Sequence, residues 1–182
     1  LLVLIGILLL LVLLRFHDSL SKENRLQGEL KERFVYYKEV LRHRKFMYFV
    51  LIQVLGMGVM FSYIASSPFV FQEHYHLSPV MYSVCFACNA VAIMLGSLSV
   101  VRFRSNEHAL RVGVWGFMFL CCCTGASLCM ELSVIIIEIV FFLFLFFLGI
   151  ILPTSTTLAL NLERQNSGTA SAILGFLTFL GG

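Results

Sequence analysis

The stretch "FMYFVLIQVLGMGVMFSYIASSPFVF", Phe46 to Phe71, contains no Asp, Glu, Lys or Arg. At about 1.5 Å of rise per residue, an α-helix of this length crosses a hydrocarbon core of about 30 Å. Polar and apolar residues do not alternate along it, so neither a half-buried strand nor a barrel strand fits the pattern. Its polar interruptions are few: Gln53, three serines and a single proline, Pro68.

Runs of the same kind recur on both sides, at residues 1–14, 79–103, 109–130, 132–160 and from 169 onward. The whole chain of 182 residues is 59% hydrophobic and only 13% charged, with a mean hydropathy of +0.93. A soluble domain carries about a quarter charged residues. The composition therefore excludes a water-soluble globular domain and points to an all-α polytopic membrane protein. The organisation expected is the end of one span (1–14), a basic linker (15–45), four spans (46–71, 79–103, 109–130 and 132–160) and the start of another (169–182). The chain opens inside an apolar run without Met, and lacks the basic region and small-residue cleavage site of a signal peptide. It reads as an internal piece of a longer protein.

Charge orients these runs. Nine of the thirteen Lys and Arg residues fall between Arg15 and Lys45, and Arg102, Arg104, Arg111 and Arg164 supply the rest. The intervening connections, around Glu73 and Glu131, contain none. Basic and non-basic connections thus alternate, which by the positive-inside rule places the long basic linker in the cytoplasm. Within it Leu26, Leu30, Phe34, Tyr37 and Leu41 share a helical face about 80° wide, as expected of a helix lying on the inner membrane surface. Nucleic-acid binding is the rival for a basic run, but Asp18, Glu23, Glu29, Glu32 and Glu39 offset much of the charge. No nucleic-acid partner is expected.

The six cysteines, including the C-x-x-C of Cys85 and Cys88 and the consecutive Cys121, Cys122 and Cys123, lie in or beside apolar runs. Hydrocarbon does not support thiolate chemistry, so small packing residues are the preferred reading over disulfides or metal ligands. Glu73, His74 and His76 could hold a metal on paper, yet a solvated loop accounts for them, and no metal is expected. No phosphate-binding loop, Ser/His/Asp arrangement or H-E-x-x-H motif occurs, so enzymatic activity is not expected.

The informative residues are polar ones inside the runs. Gln53, Gly56, Met60, Tyr63 and Ser67 share one face; Tyr82, Cys85, Asn89, Ala92, Gly96 and Ser99 share another; Glu138, Phe142, Leu145, Gly149 and Thr156 a third. An amide or carboxyl facing lipid is costly, so these faces should look into protein or a water-filled cavity. Helix packing and cavity lining both explain them. Gln53, Tyr63 and Asn89 are the candidates for lining a substrate cavity, and Glu138 is the candidate proton site. It lies near enough to the outer end that an ordinary interfacial role is the alternative. Ser66 and Ser67 should bond back to carbonyls of the preceding turn and accommodate a bend at Pro68.

The phrase "FSYIASSPFVFQEHYHLSP", Phe61 to Pro79, resembles the seventh helix and outer loop of the bicyclomycin/chloramphenicol-resistance (Bcr/CflA) drug:proton antiporters of the major facilitator superfamily. "DSLSKENR", Asp18 to Arg25, is similar to the phrase closing that family's sixth helix, with Asp18 for Glu and Ser21 for Pro. "NAVAIMLGSLSVVRF", Asn89 to Phe103, resembles its eighth helix and the second copy of the superfamily loop motif, retaining Gly96 and Arg102 but placing Val101 where an acid is expected. "NSGTASAILGFLTFLGG", from Asn166, resembles the start of the eleventh helix, with Gly168, Ala170, Ser171 and Gly175 at packing spacing. The resemblance implies the C-terminal part of a twelve-helix, two-bundle transporter in a bacterial inner membrane, whose N-terminal six-helix bundle is the missing partner. It implies export of small amphiphilic drug-like molecules in exchange for protons, with the proton gradient as energy source and no cofactor, and Pro68, Gly96 and Arg102 as gating and loop positions. A facilitator-fold metabolite carrier and a truncated, non-transporting membrane protein are the alternatives.

Overall fold

A computed structural model describes residues 2–15, 37–164 and 166–181, and these are helical apart from short connections. The chain divides into two compact units, Leu1–Phe34 and Val35–Gly182. In the first, helix α1 (Leu2–Arg15) is apolar up to Leu14, and its side chains from Val3 to Leu14 are exposed. Most of the basic linker, including Leu26, Leu30, Phe34 and the Asp18–Arg25 phrase, lies outside the described residues.

The second unit contains a short helical segment at residues 37–42 and five helices: α2 (Arg44–Pro68), α3 (Pro79–Ser99), α4 (Asn106–Cys129), α5 (Val134–Leu162) and α6 (Ser167–Gly181). Four of them, α2 to α5, are long and apolar enough to cross a membrane. The apolar runs set their lengths and local chemistry sets their ends. The Ser78 hydroxyl caps α3 by accepting from the Met81 N–H at 3.3 Å, with Pro79 in the first turn where no donor is needed. Ser105 caps α4 the same way through His108 N–H at 3.2 Å. The connections α2–α3 and α4–α5 each turn on a non-glycine residue in the left-handed region, His76 (φ 52°) and Glu131 (φ 49°). The Tyr75 hydroxyl ties these two connections together by donating to Leu132 O at 2.9 Å.

The region around Pro68 differs from expectation in two ways. The helix does not stop near Phe71 but continues as a π-helical turn, Phe69–His74, so exposed Glu73 and His74 belong to the helix end rather than the loop. Proline removes one backbone donor, and the wider turn re-pairs the chain beyond it, Tyr75 N–H bonding Val70 O at 3.1 Å. Ser66 does bond back, to Ser62 O at 2.7 Å. Ser67 instead reaches across to the Tyr82 hydroxyl of α3, 3.0 Å away.

Helix α5 is the centre of the second unit. Its most apolar stretch is 44% buried, against 17 to 22% for α2, α3 and α4, which leave Leu55, Trp115, Phe119 and similar side chains outward, as lipid-facing surfaces do. Its contact with α3 is set by glycine. A Cβ on Gly96 would sit 2.0 Å from Phe146 O, and one on Gly149 would sit 2.2 Å from Ile93 O, so the two backbones touch. Around one end of the bundle Phe71, Ile137, Leu145 and Leu148 form a buried core with Tyr63 and Phe141. At the other end Val40 packs with Phe46, Val50, Ala159, Ala170 and Ile173, and His43 pairs with Glu163. In the described part of the linker it is thus Val40 that is buried, while Tyr37 and Leu41 remain exposed.

The cysteines do not pack as the sequence suggests. All six are free, Cys85 and Cys123 are half-buried, and Cys88, Cys121, Cys122 and Cys129 face out of the bundle. Gly168 and Gly175 in α6 also meet open space, whereas Ala170 is buried.

Because the α3–α5 contact tolerates no Cβ, Gly96→Ala and Gly149→Ala each should lower stability by about 1–3 kcal/mol, the usual cost of overpacking. Gly125→Ala in α4, where nothing lies within 4 Å, should be neutral or stabilising by up to about 1 kcal/mol. Denaturation of the three variants in detergent measures both effects.

Candidate functional site

Helices α3 and α5 run parallel, since α4 returns the chain between them through two short connections. In each, one polar residue precedes the contact glycine by two to three turns: Asn89 before Gly96 and Glu138 before Gly149. The crossing that joins the glycines therefore leaves both side chains within reach of each other. Helix α2 supplies a third, Tyr63, from the buried face it shares with Gln53, Gly56 and Ser67.

The Asn89 amide joins all three helices. Its nitrogen donates to the Tyr63 hydroxyl oxygen at 3.0 Å and to Glu138 Oε2 at 3.1 Å. An NH₂ group has two protons, one for each acceptor. Asn89 is fully buried and Tyr63 nearly so, while Glu138 is half-buried. Two acceptors remain: Asn89 Oδ1 and Glu138 Oε1 are both buried without a hydrogen-bond partner among the described residues. Each lacks a donor in a place where that omission costs about 1–3 kcal/mol. An N–H or O–H of a bound molecule would supply it.

Aromatic rings enclose the polar cluster. Tyr63 stacks on Phe86 of α3, with centroids 6.1 Å apart and planes within 9°, and tilts against Phe141 of α5 at 5.5 Å. Phe71 and Tyr82 extend the wall, 6.2 Å apart. On its other side Glu138 borders a cleft of about 430 Å³ between α3 and α5, lined by Leu77, Met81, Cys85, Val134, Ile135 and Ile139. A single carboxyl in an apolar cleft, backed by rings and a buried amide, can orient an amphiphilic molecule through one polar contact and many apolar ones.

The remaining sequence candidates sit elsewhere. Gln53 is not part of this cluster; its Oε1 accepts from the Ser155 hydroxyl at 2.6 Å, which joins α2 to α5. Gly96 acts at the helix crossing, Pro68 lies before the π-turn, and Arg102 is exposed in the short 3₁₀ turn Val100–Arg102 after α3. Among the described residues no group of three His, Cys, Asp or Glu side chains comes together as a metal site would require. Ser155, Tyr82 and Phe86 were not singled out for these contacts in the sequence. A buried Thr154-Ser155 pair following Pro153 is the one local hint, since polar residues beside an intramembrane proline need partners.

Comparison with known proteins identifies the family. The family model described as "Major Facilitator Superfamily" matches residues 1–182. The chain is 32% identical over 188 aligned residues to the "Uncharacterized MFS-type transporter YdgK" of Bacillus subtilis (strain 168), covering 98% of this chain and 46% of that protein. It thus spans about half the length of that relative. No solved structure matches it.

Asn89→Ala removes both hydrogen bonds and strands a half-buried carboxyl, so it should destabilise the protein by about 2–3 kcal/mol. Tyr63→Phe keeps the ring contacts and deletes one neutral acceptor, which should cost about 1 kcal/mol. Urea or thermal denaturation of the detergent-solubilised variants reads the difference.

Proposed function

Because the chain belongs to the major facilitator superfamily, we propose that it forms the C-terminal part of a proton-driven drug exporter of the Bcr/CflA kind, in a bacterial inner membrane with the basic linker in the cytoplasm. In this reading α1 ends the sixth helix of the transporter, α2 to α5 are its seventh to tenth, and α6 begins the eleventh. A six-helix N-terminal bundle completes the pathway, and rocking of the two bundles alternates access to a site between them.

The observation that carries the proposal is the Glu138 carboxyl, bonded through one oxygen to Asn89 and leaving the other unpartnered beside an apolar cleft. An ionised carboxylate is acceptor-only, so its Oε2 holds the Asn89 amide and its Oε1 awaits a donor. Protonation at Oε1 removes the charge and turns that atom from an acceptor into an O–H donor without moving Asn89. A substrate carrying an N–H or O–H can satisfy the same atom, and the two occupants exclude each other. Mutual exclusion at one carboxyl is a physical basis for exchanging drug for proton. Tyr63, Phe86 and the cleft residues supply apolar contact, and Asn89 fixes the carboxyl between turnovers. Among the described residues no Lys or Arg borders the cleft, which favours neutral or cationic substrates over anionic ones.

In everted vesicles holding the full-length protein, drug efflux should collapse when a protonophore removes the gradient. Glu138→Gln should abolish the pH dependence of transport and lower the coupled rate by roughly tenfold or more, while leaving the protein folded. Efflux that persists without a gradient, or wild-type rates at every pH in Glu138→Gln, would overturn the reading.

A further inference from the structure

Five aromatic side chains of α2, α3 and α5 close into a circuit that includes Tyr63. The Tyr63 ring lies 6.1 Å from Phe86 and 5.5 Å from Phe141. Phe86 lies 6.0 Å from Tyr82, Tyr82 6.2 Å from Phe71, and Phe71 5.8 Å from Phe141, which returns to Tyr63. Each separation is within the range of direct ring contact. Phe71 comes from the π-helical turn and is fully buried. The Tyr82 hydroxyl, 3.0 Å from Ser67 Oγ, ties the circuit to α2 a second time. Every member belongs to the same three-helix cluster, so the circuit is complete without any other part of the protein.

We propose that Tyr63 is a positioning residue for the Glu138 carboxyl: the ring circuit fixes its hydroxyl, the hydroxyl fixes the Asn89 amide, and the amide fixes the carboxyl. The proposal rests on Glu138 as the exchanging group. A phenol oxygen lies in the plane of its ring, so a ring held on two sides carries its oxygen at a fixed place. That oxygen accepts one Asn89 N–H at 3.0 Å, and the other N–H goes to Glu138 Oε2 at 3.1 Å. Asn89 Oδ1 has no partner among the described residues, so these two bonds alone orient the amide. With the phenol removed, the amide is left pivoting on Glu138. Asn89 is fully buried, so water does not take the phenol's place. A carboxyl is planar, and the direction of Oε1 therefore follows from where Asn89 holds Oε2. In this way a hydroxyl that never touches the carboxyl decides how Oε1 meets a proton or a donor-bearing molecule. If the five rings only filled the core, the Tyr63 hydroxyl would be dispensable for exchange.

Infrared difference spectra of the full-length protein in lipid, together with proton-coupled drug exchange in vesicles, test it. Tyr63→Phe removes the hydroxyl and keeps every ring. It should shift and broaden the Glu138 carboxyl band and slow exchange about fivefold, the equivalent of one neutral hydrogen bond. Phe71→Leu opens the circuit and keeps the hydroxyl, and should move the band in the same way. Phe117→Leu removes a ring that packs against the same core outside the circuit, and should leave the band in place. An unaltered band in Tyr63→Phe or Phe71→Leu, or an equal displacement in Phe117→Leu, would overturn the proposal while leaving Glu138 as the exchanging carboxyl. A wild-type protein with no band assignable to Glu138 would overturn both.

Discussion

Two glycines let α3 and α5 meet backbone against backbone, and the polar cluster depends on that contact. Gly96 lies against Phe146 and Gly149 against Ile93, each with a carbonyl where a side chain would otherwise project. Without a hydrophobic driving force between helices in lipid, such close approach and the dispersion contacts it brings are what hold membrane helices together. Two to three turns away, the same approach allows one amide, Asn89, to reach a carboxyl on α5 and a phenol on α2. A wider spacing would separate the amide from Glu138 and leave the carboxyl without its partner in the bundle.

The cluster is only half satisfied. Asn89 spends both of its donors, yet the remaining oxygens of Asn89 and Glu138 find none. Elsewhere, Thr178 Oγ1 of α6 apart, the buried polar groups pair: Ser155 with Gln53, Ser67 with Tyr82, and Thr154 with the carbonyl of Ile151. That contrast separates polar residues that join helices from polar residues left poised for a further donor. Helix α5 contributes to both, since Ser155 anchors it to α2 and Glu138 opens it to the cleft.

Much of the architecture was legible in the sequence because each span is apolar over its whole length, as in Phe46–Phe71. The inward faces were legible too: Gln53, Gly56, Tyr63 and Ser67 are all buried, as are Asn89, Ala92 and Gly96. Periodicity names a face, however, and not what the face meets. Gln53 and Tyr63 share one face of α2, yet one bonds Ser155 and the other Asn89. Glu138 lay too near a helix end for the sequence to choose between the interface and the interior; the Asn89 amide settles which atoms it meets. The cysteines misled because small size suits packing, while four of the six sit on outward faces of α3 and α4.

The central claim is that Glu138 exchanges a proton for a donor-bearing molecule at the oxygen that Asn89 leaves free. Infrared difference spectroscopy of the full-length protein in lipid, recorded across a pH titration with and without an amphiphilic amine, reads that carboxyl directly. The account predicts a carboxyl C=O band that vanishes in Glu138→Gln, shifts in frequency in Asn89→Ala, and disappears when the amine binds. A titration with no band assignable to Glu138, or one whose band is unchanged by amine at saturating concentration, would contradict it.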